Sequence, residues 1–216
     1  MAEYSALAGV SGLGIVLYNN DSYINGKFIS NRNSFNDNIS ASAKLFGDKY
    51  ILAGGFVSLY ALSEAFENHK LKKTSVLGLK SMAVSGIITY SLKLLTHRKR
   101  PRSSSDPYEF SGPSFSTKDL SFPSGHTTLA FSAAKIINGS YSDIKYLPCL
   151  TYSAAVLTGL SRIYDNEHWA SDVLAGAIIG YFSAAIVSKN SDQNSVQNIY
   201  PLISGDRIGL FASYSF

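Results

Sequence analysis

Residues 168–188 read HWASDVLAGAIIGYFSAAIVS, and this stretch decides the fold. Beyond Asp172 it carries no charge until Lys189, and its length and apolar character predict a helix. Small residues recur along it, at Ala170, Ala175, Gly176, Ala177, Gly180, Ala184 and Ala185. Such a surface lets neighbouring helix backbones approach closely, so this segment is predicted to pack tightly inside a bundle.

Other helices are predicted on the N-terminal side of this segment. Apolar patterns with flanking charges predict helices at about 50–67, 74–94, 125–137 and 147–163, and a short amphipathic helix at 34–43. Residues 102–122 are rich in Ser, Gly and Pro and predict a long loop, a feature that is often functional. The fold class is therefore all-α, a helical bundle of about five to six core helices that forms one domain over residues 1–190.

The C-terminal segment has a different composition. Residues after Lys189 are rich in Asn, Ser, Gln and Asp, as in a linker. The chain then alternates apolar and polar residues on both sides of the turn at 204–206. Residues 191–216 are accordingly predicted to form a linker and a C-terminal β-hairpin that covers the bundle.

The composition excludes several protein classes. The chain has 216 residues, of which 45% are hydrophobic and 16% charged, so collagen, coiled coil and low-complexity disorder are excluded. The formal net charge of +4 favours anionic partners in a general way. A single cysteine, Cys149, excludes both a disulfide framework and a cysteine-based zinc site.

The apolar runs bear on membrane attachment. Uncharged stretches of 12 to 17 residues are shorter than the roughly 20 residues of a typical span, which favours a soluble or peripherally attached bundle over an integral one. The N-terminus, Met1-Ala2-Glu3-Tyr4, has no basic segment before its apolar run and is a poor secretory signal as it stands. A removed signal peptide would leave the same appearance.

Three blocks of residues carry the chemistry. In the first, Lys93 and Arg100 are seven residues apart, which on a helix would be two turns and one face. A guanidinium fork beside an ammonium suits a tetrahedral oxyanion. Taken alone, the two residues are more often solvated cations, like their basic neighbours Arg98, Lys99 and Arg102.

The second block is Pro123-Ser124-Gly125-His126, directly before a predicted helix. Ser124 stands at the N-cap position, Gly125 allows close backbone approach, and a helix N-terminus offers free N–H groups to an anion. The block predicts an anion site with an imidazole at its edge, although an ordinary capped helix explains it about equally well.

The third block is Ser161-Arg162, then His168 and Asp172. On a helix, residues four apart lie on one face, so the carboxylate could hold the imidazole in one tautomer and leave the other nitrogen nucleophilic. A surface His–Asp pair would look the same. The three blocks together, in order and at fixed spacing, make chance coincidence negligible.

The three blocks resemble the signature of the type 2 phosphatidic acid phosphatase superfamily, which also includes bacterial non-specific acid phosphatases and vanadium haloperoxidases. All eleven signature positions match, over residues 93–172. The resemblance implies an all-helical core and hydrolysis of phosphomonoesters or pyrophosphates through a phosphohistidine.

The resemblance also implies a role for each matched residue. His168 would attack phosphorus, Asp172 would orient it, and His126 would protonate the leaving oxygen. The phosphate oxygens would be held by Lys93, Arg100, Ser124, Gly125 and Arg162. No metal or other cofactor is expected, and vanadate is expected to inhibit as a phosphate mimic.

The substrate class is open between two phosphatase types. Apolar helices and an aromatic tail favour a phospholipid or related lipid phosphate, whereas the mean hydropathy of +0.05 and the short apolar runs favour a soluble acid phosphatase. A vanadium haloperoxidase is a remote alternative, because those enzymes are far longer. We expect a periplasmic or membrane-associated protein that contacts a membrane surface and no nucleic acid, and the sequence carries no indication of oligomeric state.

Overall fold

In the computed structural model, the backbone is described for residues 2–193, 196–204 and 207–214, and the side chains for residues 9 and 11–191. The described residues are mostly helical, as predicted. A short 3-10 turn, Lys44–Gly47, separates the second helix from the third. The helices are α1 (Ala2–Ser30), α2 (Ser34–Ala43), α3 (Lys49–Ala65), α4 (His69–Thr96), α5 (Gly125–Ser140), α6 (Leu147–Tyr164) and α7 (Ala170–Gln193).

Asparagine and aspartate side chains set the starts of three helices. Asn33 caps α2, Asp48 caps α3 and Asn68 caps α4, each accepting a hydrogen bond from a backbone N–H of the first turn. The predicted start of α4 at Thr74 or Ser75 is therefore wrong. The basic segment 69–73 forms the first turns of this helix.

Helix α5 lies at the centre and packs against α4, α6 and α7. Glycines of α7 permit this contact: a Cβ at Gly176 would lie 2.5 Å from the Ser124 carbonyl oxygen, and one at Gly180 would clash with the Thr128 carbonyl. The small residues of α7 thus bring its backbone against the start of α5, as the sequence predicted.

Hydroxyl pairs bind the helices together inside the bundle. Ser81 of α4 lies 2.5 Å from Ser132 of α5, and the Thr89 hydroxyl donates to Thr128 at 3.2 Å. The apolar clusters of the bundle are built from few buried residues, for example Ala130, Ala134 and Ala155.

The outer surface is apolar over much of its area. Large exposed hydrophobic side chains occur on six helices, for example Ile15, Phe35, Val57, Ile87, Leu157 and Phe182. By length and composition, α4 and α7 could each cross a membrane. The helices are longer than the uncharged runs suggested, because α4 continues on both sides of Lys80.

Two strands follow α7, β1 (Val196–Ser204) and β2 (Arg207–Tyr214), paired antiparallel with a register shift between Gln197 and Ile199. The two strands pair with each other, but the supported fold is the helical one, and the predicted C-terminal hairpin that covers the bundle is not supported. The predicted domain boundary at residue 190 stays a prediction. Helix α7 extends past that residue, to Gln193.

Candidate active site

The residues of the first block lie on both sides of the end of α4. Lys93 is in the last turn of this helix, and His97 ends it in the left-handed conformation, at φ 46°. Arg100 follows in the loop, so the predicted placement of both side chains on one helical face is wrong. Lys93 Nζ donates to the carbonyl oxygens of Leu120 (2.7 Å) and Ser121 (3.2 Å), which fixes the end of the long loop over the site.

The second block forms the start of α5, as predicted. Ser124 is the N-cap and is fully buried, and its Oγ accepts a hydrogen bond from the Thr127 hydroxyl at 2.9 Å. A Cβ placed on Gly125 would meet none of the described atoms within 4 Å. The first turn of α5 therefore borders open space, where an anion could reach its N–H groups.

The third block spans the turn from α6 to α7. Arg162 is in the last turn of α6 and pairs with Asp165 at 2.9 Å, and Ser40 of α2 donates to the same carboxylate at 2.7 Å. The backbone N–H of His168 donates to the Arg162 carbonyl oxygen at 3.2 Å. This hydrogen bond fixes the nucleophile candidate beside the cation candidate.

Hydrogen bonds also join the blocks to one another. Ser124 N–H donates to the Asp172 carbonyl oxygen at 3.0 Å and connects the starts of α5 and α7. The Trp169 indole N–H donates to the Lys99 carbonyl oxygen at 2.9 Å and connects the third block to the first. The structure therefore brings the three blocks to one place.

His168 and Asp172 lie close together without a hydrogen bond. Asp172 is in the first turn of α7, whereas His168 precedes that helix. His168 Nδ1 is 3.8 Å from Asp172 Oδ2, and it has no hydrogen-bond partner among the described residues. Catalytic contacts of this kind are often long before substrate binds and then shorten.

The carboxylate of Asp172 is instead held by three other donors. Arg98 donates to Oδ1 at 2.6 Å, while the Ser121 hydroxyl (2.5 Å) and the Trp169 N–H (2.9 Å) donate to Oδ2. The Trp169 contact is the reciprocal bond of a capping box, in which the side chain of the third helical residue accepts a hydrogen bond from the backbone N–H of the residue that precedes the helix.

Burial and nearby cations keep both histidines neutral. Burial lowers the pKa of His168 to about 3, and the positive charges of Lys93 and Arg100 act in the same direction against the raising effect of Asp172. Burial likewise lowers the pKa of His126 to about 4, with contributions from Arg162, Arg100 and Lys93. The same cations act on both imidazoles, so the predicted site residues share one electrostatic environment.

Four further residues belong to this environment and were missed from the sequence. Arg98 is 1% exposed, contrary to its interpretation as a solvated cation. Ser121 and Asp21 are fully buried with it, and Glu167 forms ion pairs with Arg100 and Arg102. The sequence does indicate a special role for Asp21, because this residue is the single charge between Glu3 and Lys27 in an otherwise uncharged segment.

Comparison with known proteins places this site in a family. The model of the PAP2 superfamily matches residues 76–195, more than half of the chain and all three blocks. A lipid A 1-phosphatase of Porphyromonas gingivalis is 48% identical over 61 residues, which cover 28% of this chain and 14% of that protein. Lipid phosphate phosphatase 1 of Arabidopsis thaliana is 32% identical over 139 residues, which cover 51% of this chain and 42% of that protein.

The matches therefore span less than half the length of these two relatives. Among solved structures, a transmembrane PAP2 type phosphatidylglycerolphosphate phosphatase from Bacillus subtilis superimposes with a TM-score of 0.67 at 20% identity, over 86% of this chain and 96% of that one. This likeness extends the shared fold well beyond the three blocks. The chain belongs to the PAP2 superfamily.

Proposed function

We propose that this protein is a membrane-associated phosphatase that hydrolyses lipid phosphates through a phosphohistidine at His168. The observation that carries the proposal is a buried, neutral imidazole beside Asp172 and within the field of Lys93 and Arg100. A neutral imidazole has a free lone pair to attack phosphorus, and the cations attract and hold the phosphate.

In the first step, His168 Nε2 would form a bond to phosphorus while the bond to the leaving oxygen breaks. His126 would donate a proton to that oxygen. In the second step, His126 would take a proton from water, and the resulting hydroxide would attack phosphorus and release His168 and inorganic phosphate. Asp172 would stabilise the positive charge that His168 carries between the two steps.

Charge on the phosphate oxygens would be stabilised by the remaining site residues. Lys93, Arg100 and Arg162 supply positive charge, and the Ser124 hydroxyl and the Gly125 N–H supply hydrogen bonds at the start of α5. Removal of one such donor typically costs several kcal/mol of transition-state stabilisation. This set of donors suits an anion, and we propose that the reaction needs no metal.

An apolar cleft supports a lipid substrate. A cleft of about 210 Å³ opens between α4 and α5, and its lining includes Lys93 and Gly125 at one part and Gly86, Tyr90 and Leu129 at another. A phosphate could bind at the first part while an acyl or prenyl chain lies along the second. The apolar outer surface and the lipid phosphatase names of the relatives support the same substrate class.

The substrate class is tested by closing the cleft. A Cβ at Gly86 meets none of the described atoms within 4 Å, so Gly86→Leu should fill the cleft without disturbing the helix. We expect turnover of phosphatidate in detergent to fall at least about tenfold, while turnover of p-nitrophenyl phosphate stays unchanged. Gly139→Leu, at the other end of α5 and equally open, is the matched control.

Four outcomes would each overturn a part of the proposal. Unchanged turnover of phosphatidate by Gly86→Leu, or a parent enzyme that strongly prefers the soluble ester, would favour a soluble acid phosphatase. Full turnover by His168→Ala would remove the proposed nucleophile. Activity of the parent lost in EDTA and restored by a divalent cation would contradict the metal-free reaction.

A further inference from the structure

Arg98 lies buried between two carboxylates that come from distant parts of the chain. Its Nη1 donates to Asp172 Oδ1 at 2.6 Å and its Nη2 to Asp21 Oδ2 at 2.8 Å. Asp21 and Asp172 are each 0% exposed, and Arg98 is 1% exposed. Asp21 is in α1, well outside residues 76–195 that match the family.

The network holds each of its groups in one orientation. Arg98 Nε donates to the Pro107 carbonyl oxygen at 2.8 Å, and its Nη1 also reaches the Ser171 hydroxyl at 2.7 Å. Ser171 in turn donates to both Asp21 oxygens, through its N–H at 2.9 Å and its hydroxyl at 2.5 Å. Ser171 and Asp172 are adjacent, so Asp21 holds the start of α7 both directly, through Ser171, and indirectly, through Arg98 and Asp172.

Aromatic rings enclose the guanidinium. The centre of the Arg98 guanidinium lies 5.3 Å from the ring centroids of Tyr18 and Phe110 and 5.7 Å from that of Trp169. Such rings exclude water and add cation–π attraction. The ion pairs therefore act in a medium of low dielectric, where they are strong.

The charges of the network have a consequence for His168. Arg98 alone would neutralise Asp172 and weaken its attraction for a positive imidazole. With Asp21 as a second carboxylate, Arg98 is shared, and one net negative charge remains beside the nucleophile. We infer that Asp21 and Arg98 are positioning residues, which hold the Asp172 carboxylate in place and preserve its negative charge behind His168.

This inference rests on the proposed phosphohistidine reaction and predicts a split between two kinds of measurement. Asp21 contacts no predicted phosphate ligand among the described residues, so Asp21→Asn should leave KM within about twofold. The step in which His168 becomes positive should slow, and we expect kcat to fall at least about tenfold, the scale seen when partners that orient a catalytic group are lost.

Ligand binding gives a second readout that needs no turnover. Vanadate bonds to the nucleophilic nitrogen as well as to the cations, whereas inorganic phosphate binds through the cations alone. Asp21→Asn should weaken vanadate binding at least about tenfold and leave phosphate binding unchanged. A merely structural role of Asp21 would weaken both anions together.

Two control variants separate charge and stability from positioning. Asp143→Asn removes an exposed carboxylate that pairs with Lys70 far from the site, and Phe56→Leu removes buried volume from the contact of α3 with Gly78. Neither should change kcat or the ratio of vanadate to phosphate affinity. Phe56→Leu should lower the melting temperature, so it shows whether a loss of stability alone changes the ratio of the two affinities.

The experiment is calorimetric binding of vanadate and of phosphate to the four proteins, with kcat and KM on the same preparations. A selective loss of vanadate affinity in Asp21→Asn supports the inference. Unchanged vanadate affinity, or equal loss for both anions, overturns it. If Asp21→Asn loses vanadate affinity selectively but the parent hydrolyses no phosphate ester, the positioning role of Asp21 is supported. The proposed function is then contradicted instead.

Discussion

Binding of phosphate should draw a proton onto His126. In the free protein, burial and the cations Arg162, Arg100 and Lys93 hold the pKa of this imidazole at about 4, so it is neutral at pH 6. A general acid must carry a proton. The phosphate of the substrate supplies the negative charge that can bring one, because an adjacent opposite charge raises the pKa of a histidine.

The required shift can be compared with the available energy. To be half protonated at pH 7, His126 needs a pKa about 3 units higher, which corresponds to about 4 kcal/mol. One negative charge at about 4 Å contributes about 4 kcal/mol at an effective dielectric constant of 20, and a phosphate dianion contributes about twice that. A bound phosphate is therefore sufficient to protonate the acid.

Calorimetry in buffers of different ionisation enthalpy measures this proton. At pH 6, the parent should take up close to one proton more per bound phosphate than His126→Gln does, and the subtraction removes the protons of phosphate itself. His69→Gln, at the exposed start of α4, is the matched control and should behave like the parent. Equal proton uptake by the parent and His126→Gln would refute the assignment of His126 as the acid.

Two further predictions concern stability. His126 and His168 have a folded pKa (about 4 and about 3) below the ordinary value of 6.5, so their contribution to stability is complete above pH 6.5 and is lost progressively as the pH falls from 6.5 to the folded values. Between pH 7 and pH 5, protonation linked to each histidine should lower the free energy of unfolding by about 2 kcal/mol. Thermal melts of His126→Gln should therefore show a smaller loss of stability at acid pH than those of the parent, and identical losses would contradict this. Gly180→Ala should destabilise the fold by about 1–3 kcal/mol because the new methyl group meets the Thr128 carbonyl, whereas Gly54→Ala, on the open face of α3, should not. Melting temperatures of the two variants check this, and equal values would show that the contact of α7 with α5 is looser than described.

The local pattern of the sequence was sufficient for the three blocks and for every helix except α1 (Ala2–Ser30), which was not predicted. Helix α2 matches its predicted range of 34–43, because its apolar spacing is local information. The small residues of α7 predicted close packing for the same reason. The start of α4 was misplaced, since several polar residues near it could cap a helix and only the folded chain selects Asn68.

The sequence could not predict the partners of buried charges. Arg98 lies among four other basic residues, and nothing local distinguishes it from a solvated cation. Its burial depends on Asp21 and Asp172, which are 77 and 74 residues away along the chain. Pairing over such distances is a property of the packed helices.

Transfer of phosphate to His168 is tested most directly by trapping the phosphorylated protein. A lipid phosphate radiolabelled in its phosphate is mixed with the protein in EDTA and quenched in alkali, where phosphohistidine is stable, and the labelled residue is identified by peptide mapping. We predict label on His168 in the parent and none in His168→Ala. Turnover without label on His168, or turnover by His168→Ala, would contradict phosphate transfer to this residue.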